Sequence, residues 1–141
     1  MEQIAYKKGY KYQLVETYDS SIEIKPEQPV STDYIELSEE GRLVIKKGYA
    51  WDGPSGPTVD SLNFMRGSLV HDALYQLMRE KHLDKEEYRQ SADRLLQKIC
   101  EADGMSRFRA WWVYLGVRWA GDPAADPANT KPVIKAPNPG R

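Results

Sequence analysis

Cysteine is almost missing from this chain. Cys100 stands alone among 141 residues, so neither an intramolecular disulfide nor a thiolate zinc cluster can form. A surplus of either charge is missing too: 20 Lys and Arg oppose 21 Asp and Glu, a formal charge of −1. That balance supplies no overall attraction to nucleic acid or to an anionic membrane, and leaves such binding to local patches. Long hydrophobic runs are absent. No window approaches the roughly 20 apolar residues of a membrane span, so no transmembrane segment is expected. The opening Met1-Glu-Gln-Ile-Ala-Tyr-Lys-Lys has no apolar stretch of signal-peptide length. Folding in a reducing cytoplasm is the expectation.

What is present reads as an ordinary globular composition, 40% hydrophobic and 29% charged. The expected organisation is α+β: one domain over residues 1–121, then an extended Pro-rich tail over 122–141. Residues 1–50 are expected to form a small antiparallel β-meander with one wet face. Tyr10, Tyr12, Leu14 and Tyr18 fall on even positions, and Ile22 and Ile24 continue the period of two. Tyr34-Ile-Glu-Leu37 and Leu43-Val-Ile45 flank Ser38-Glu-Glu-Gly-Arg42, a hairpin signal in which Gly41 can take a positive φ. The tyrosines read as strand formers rather than as a binding surface.

Periodicity stops from Lys46 to Asp60, a window that also holds Gly48, and on composition alone its Gly/Pro loop over about residues 51–60 reads as a tight strand-to-helix connection. Gly53, Pro54, Gly56 and Pro57 imply a loop of fixed shape, with Asp52 at its start. Three helices are expected next. The first runs from about Leu62 to Arg79, with Leu69, Val70, Ala73, Leu74 and Leu77 on a broad apolar side. The second is opened by Asp84, whose carboxylate can accept the Glu87 amide proton, and ends near Ala102 with Gly104 as its cap. Its Cys100 reads as a small buried hydrophobe and its Lys and Glu residues as a solvated face. The third, capped by Ser106, runs to about Ala120 and carries Phe108, Trp111, Trp112, Tyr114, Leu115 and Trp119 interleaved with Arg107, Arg109 and Arg118. Such a face could stack bases or meet lipid headgroups. The reading favoured here is that the aromatics fill the core. From Gly121 onward, five prolines (Pro123, Pro127, Pro132, Pro137, Pro139) argue against further helix.

Candidate chemistry lies on the first two helices. His71 and Tyr75 are four apart and share a face, while Asp72 is turned about 100° away. A histidine can remove a proton from water when its second nitrogen is held by a carboxylate. Adjacent helical side chains diverge, so Asp72 is poorly placed for that. Asp93 is better: if the helices are antiparallel about a connection centred near His82, His71 lies eleven residues before it and Asp93 eleven after. Asp72 is then free to face the Gly/Pro loop, where a carboxylate and backbone carbonyls could hold Ca²⁺. The opposing reading is a satisfied polar cluster that only fixes packing. His82, in the connection, is assigned no role.

Two resemblances follow from these residues. Tyr49-Ala-Trp-Asp-Gly-Pro-Ser-Gly-Pro57, Val70-His-Asp-Ala-Leu-Tyr75, the Ala92-Asp93 pair and the segment from Arg109 to Arg118 resemble the domain of unknown function 1353 family, common in bacteriophages and prophages. That likeness implies a phage or prophage protein, in the host cytoplasm or the virion, and no particular activity. More locally, Gly53 and Gly56, then His71-Asp72-x-x-Tyr75, then Asp93 resemble bacterial secreted phospholipases A(2). That likeness implies a Ca²⁺-dependent hydrolase of a lipid or ester. His71 would be the general base, Asp93 its orienter and Tyr75 a member of the network; Asp72, Asp52, Gly53 and Gly56 would supply the metal site. The bracing disulfides of those enzymes cannot form here, and Pro54 and Pro57 give the loop another shape. The competing expectation is a non-catalytic virion or assembly component that binds other phage proteins through its strand face and residues 122–141.

Overall fold

Polar and apolar side chains alternate from Tyr12 to Lys25 as the period of two predicts. Tyr12, Leu14, Tyr18, Ile22 and Ile24 are buried, while Asp19, Glu23 and Lys25 are exposed. In a computed structural model of the chain, residues 6–7, 12–51 and 62–125 are described, with side chains described for 12–51 and 62–119. The Gly/Pro loop with Asp52, Gly53 and Gly56, Tyr10, and the tail beyond residue 125 lie outside the described residues. The strands fall in one compact unit and the helices in another.

Among the described residues seven strands are formed: β1 (Tyr6–Lys7), β2 (Tyr12–Leu14), β3 (Tyr18–Ser21), β4 (Val30–Ser31), β5 (Ile35–Leu37), β6 (Arg42–Ile45) and β7 (Ala50–Trp51). The α+β class holds, but the strands divide into two antiparallel sheets rather than one meander. One has the order β1-β2-β7 and the other β3-β6-β5-β4. The cause is local. After β6 the chain turns at Gly48, whose φ is 95°; its N–H donates to the Leu14 carbonyl at 2.7 Å, and the Leu14 N–H donates to the Tyr49 carbonyl at 2.8 Å. These bonds carry the chain back to β2, where Trp51 pairs with Tyr12. The expected hairpin joins β5 to β6, with Leu37 opposite Leu43. Gly41 closes it at φ 91°.

The helices are α1 (Leu62–Arg79), α2 (Lys85–Ala102) and α3 (Arg107–Ala125). The first two match their expected spans. The Asp84 carboxylate accepts from the Glu87 N–H at 2.8 Å, which satisfies a donor that a helix start otherwise leaves bare. At the far end Gly104 takes φ 104° and its N–H reaches the Glu101 carbonyl at 3.1 Å. Burial surrounds most of α1, whereas α2 buries one side, with Ala92, Asp93, Leu95, Leu96, Ile99 and Cys100 inward. Glu86, Glu87, Arg94 and Lys98 are exposed, as a solvated face requires. Gly67 permits the close approach: a Cβ there would lie 2.8 Å from Leu96 Cδ1 and 3.1 Å from Cys100 Sγ.

Two expectations for α3 are overturned. The helix continues to Ala125, through Gly121 and Pro123; a proline in the last turn of a helix removes one backbone donor and need not end it at once. Its aromatics, Tyr114 apart, also do not fill the core. Ala110, Val113 and Tyr114 are the inward residues, whereas Phe108, Trp111, Trp112 and Trp119 are exposed. The core it meets, formed by Phe64, Leu96, Cys100 and Met105, is completed by the small Ala110 and Val113, which leaves no room on that side for indoles.

The hairpin glycine gives a direct test. A Cβ on Gly41 would sit 2.4 Å from the Ile22 carbonyl oxygen, a backbone atom that cannot swing aside. Gly41→Ala is expected to lower the unfolding free energy by about 1–3 kcal/mol, the scale of one non-glycine residue forced into the left-handed region. Urea denaturation of the two proteins measures it.

Candidate functional site

Asp93 is 0% exposed. A carboxylate taken fully out of water must have its oxygens satisfied by donors, because desolvation otherwise makes the charge very costly. All three helices contribute. From α1, His71 Nε2 lies 2.7 Å from Oδ1 and the Tyr75 hydroxyl donates to the same oxygen at 2.6 Å. From α3, Arg118 Nη1 donates to Oδ2 at 3.0 Å. On α2 itself Arg89, one turn before Asp93, brings its guanidinium to 3.9 Å from Oδ2, close enough for charge but not for a hydrogen bond. No buried side-chain nitrogen or oxygen lacks a partner among the described residues.

The arrangement settles which imidazole nitrogen is free. A carboxylate only accepts, so at 2.7 Å from Oδ1 the Nε2 atom carries a proton and donates it. In neutral His71 the lone pair is therefore on Nδ1. That atom lies 3.9 Å from the carboxylate of Asp72, whose side chain is part exposed, while the imidazole itself is buried. The His71 and Tyr75 rings lie 4.1 Å apart, tilted by 35°, which fixes the imidazole plane.

Electrostatics favour a charged imidazole. Burial is the largest influence on His71 and opposes protonation, yet the Asp72 and Asp93 carboxylates together outweigh it and hold the pKa above its ordinary value. Tyr75 is shifted upward by burial and by its bond to Asp93, so it remains a protonated donor. Cys100, pushed up to about 12 chiefly by burial, is no nucleophile, as its place in an apolar stripe suggested.

The structure thus brings His71, Asp93 and Tyr75 together and sets Asp72 on the opposite side of the imidazole. Asp52, Gly53 and Gly56 lie outside the described residues. Among the described residues no group of three or more His, Cys, Asp or Glu side chains could hold a metal ion; Asp72 is the one described member of the expected Ca²⁺ set. His82 lies on the surface near Glu80.

Arg118 is the member that sequence reasoning missed. The antiparallel spacing that pairs His71 with Asp93 could have found it. Taking the second connection as centred on Gly104, Asp93 lies eleven residues before it, and eleven after is Leu115, within one turn of Arg118. A second buried ion pair, Arg66 with Asp103 at 3.0 Å, ties the start of α1 to the end of α2.

The family model described as Protein of unknown function (DUF1353) matches residues 29–117, well over half of the chain, which therefore belongs to that family. No curated protein and no solved structure gives a match.

Two outcomes follow from this geometry. Asp93→Ala leaves Arg118, His71 and Tyr75 without their shared acceptor and is expected to cost about 3 kcal/mol or more, the scale of breaking a buried ion pair by removing one partner; chemical denaturation reads this. Asp72→Asn is expected to lower the His71 pKa in an NMR titration, since one of the two carboxylates that raise it is gone. The sign carries over to stability. A histidine whose folded pKa is raised contributes fully below the unfolded value of 6.5, and that contribution is lost as pH rises through the folded pKa. Wild type should lose stability relative to His71→Asn over that interval.

Proposed function

We propose that this member of the DUF1353 family is a hydrolase of ester or lipid substrates in which His71 is the general base. The observation that supports it is the imidazole orientation: Nε2 is held by the buried Asp93 and Nδ1 lies near the part-exposed Asp72. In this reading Nδ1 takes a proton from water as the water oxygen bonds to the ester carbonyl carbon. When the carbon–oxygen bond to the alcohol breaks, the imidazolium returns that proton to the leaving alkoxide. Asp93 stabilises the imidazolium formed between these steps. Tyr75 and Arg118 hold the carboxylate in place. Because the pKa of His71 is raised, activity should climb with pH through a value above 6.5 rather than level off below it.

Asp72 with Asp52, Gly53 and Gly56 is the proposed Ca²⁺ site. The ion takes about six to eight oxygens, of which Asp72 supplies at most two, so the proton transfers above are assigned to His71 alone. When bound, Ca²⁺ would supply positive charge to the carbonyl oxygen. The phage or prophage setting, implied by the sequence resemblance, makes a host envelope the proposed target, met from the host cytoplasm or the virion. A non-catalytic virion or assembly role is supported by one observation: the polar cluster is closed on itself and would serve equally as a packing device.

Hydrolysis of a short-chain ester and of a phospholipid by wild type, by His71→Asn and by wild type with a calcium chelator separates these readings. His71→Asn is expected to lose about 10²–10⁴-fold, the usual contribution of a general base, with the protein still folded. Equal rates for all three samples would favour the non-catalytic role.

A further inference from the structure

Helix α3 is apolar on two opposite sides. Ala110, Val113 and Tyr114 face the core. Phe108, Trp112, Leu115 and Trp119 recur at intervals of four, three and four along the other side, the spacing of one helical stripe. Phe108 is 69% exposed, Trp112 56% and Trp119 89%, with Trp111 at the stripe's edge 45% exposed. Three of the protein's four tryptophans thus stand in solvent on one helix. A soluble surface seldom carries so much contiguous aromatic area without a partner.

We propose that this stripe docks on an anionic lipid surface, with α3 lying in the plane of the headgroups. Charge chooses the occupant. Helix α3 carries Arg107, Arg109 and Arg118 against one acid, Asp122 near its end, and Arg118 is itself paired with Asp93. At about 100° per residue, Arg107 and Arg118 border the stripe on one side and Arg109 on the other. Arg94 of α2 adds its guanidinium beside them, 4.2 Å over the Tyr114 ring. Indoles between cationic rims suit the interface between headgroups and acyl chains. No described helix is long and apolar enough to cross a membrane, so the stripe lies on a bilayer rather than through it.

Other occupants fit less well. A second copy joined stripe to stripe would set one arginine rim against another, with Asp122 the one acid on each α3 to offset three arginines. Residues 126–141 of the chain carry Lys131, Lys135 and Arg141 against Asp126 and would add positive charge to a positive rim. Successive nucleic-acid bases need parallel rings to stack on. Here Phe108 meets Trp112 at 77° and Trp111 meets Trp112 at 68°, which makes a broad cushion and not a ladder. The surface is independent of the chemistry at His71, although Arg118 belongs both to the rim and to the Asp93 cluster.

Co-sedimentation of the full chain with phosphatidylglycerol and with phosphatidylcholine vesicles tests this. Wild type should bind the anionic vesicles, more weakly as salt is raised. The triple variant Phe108→Ser, Trp112→Ser, Trp119→Ser should bind at least tenfold more weakly, with an unchanged far-ultraviolet spectrum. Arg107→Glu, which leaves the aromatics in place, should weaken binding to phosphatidylglycerol selectively. His71→Asn should bind as wild type does, so failure of the hydrolase reading and failure of the surface are told apart. No wild-type binding to phosphatidylglycerol, or equal binding by the triple variant, would overturn the proposal. So would a wild-type dimer that the triple variant abolishes, or binding that emerges only when residues 126–141 are removed.

Discussion

One carboxylate with no access to water holds the helical unit in register. Asp93 cannot be buried as a charge without donors, and the donors come from every helix: His71 and Tyr75 from α1, Arg118 from α3, with Arg89 nearby on α2. Apolar side chains can slide past one another at small cost, whereas three polar groups bonded to two oxygens cannot. A satisfied network of this kind selects one packing among several that hydrophobic burial alone would allow. Gly67, Leu96 and Cys100 bring α1 and α2 close enough for the network to close.

The same constraint shapes the chemistry available. Holding Nε2 as a donor determines the tautomer, and with it the position of the lone pair. The remaining nitrogen lies near the part-exposed Asp72, and it is the one atom of the ring that the buried cluster leaves for a proton. Arg118 has no part in the phospholipase likeness noted in the sequence. Its charge offsets that of Asp93, and its place on α3 joins the cluster to the helix that carries the exposed aromatic stripe.

Much of this was legible in the residues. The bounds of α1 and α2 followed from apolar spacing and from the Asp84 and Gly104 caps, since capping is local chemistry. The meeting of His71 with Asp93 followed from equal distances to one tight connection. The division of the strands into two sheets was not legible, because it rests on the pairing of Leu14 with Gly48 and Tyr49, more than thirty residues apart in sequence. The aromatic helix was misread for a related reason. Composition reports that indoles are present, but which side of α3 meets the core is decided by Ala110 and Val113, the small residues that let it approach. Arg118 was hidden among those aromatics, where an arginine reads as a surface charge until its tertiary partner is known.

The imidazole nitrogens of His71 offer the most direct measurement. With ¹⁵N-labelled histidine, the two ring nitrogens of each histidine are resolved in long-range correlation spectra recorded above the His71 pKa. If Asp93 organises the site as described, the His71 signal shows a proton on Nε2 and a bare Nδ1, and it titrates at a higher pH than an ordinary histidine. A proton on Nδ1 instead, or a His71 titration at or below the ordinary histidine value, would contradict it.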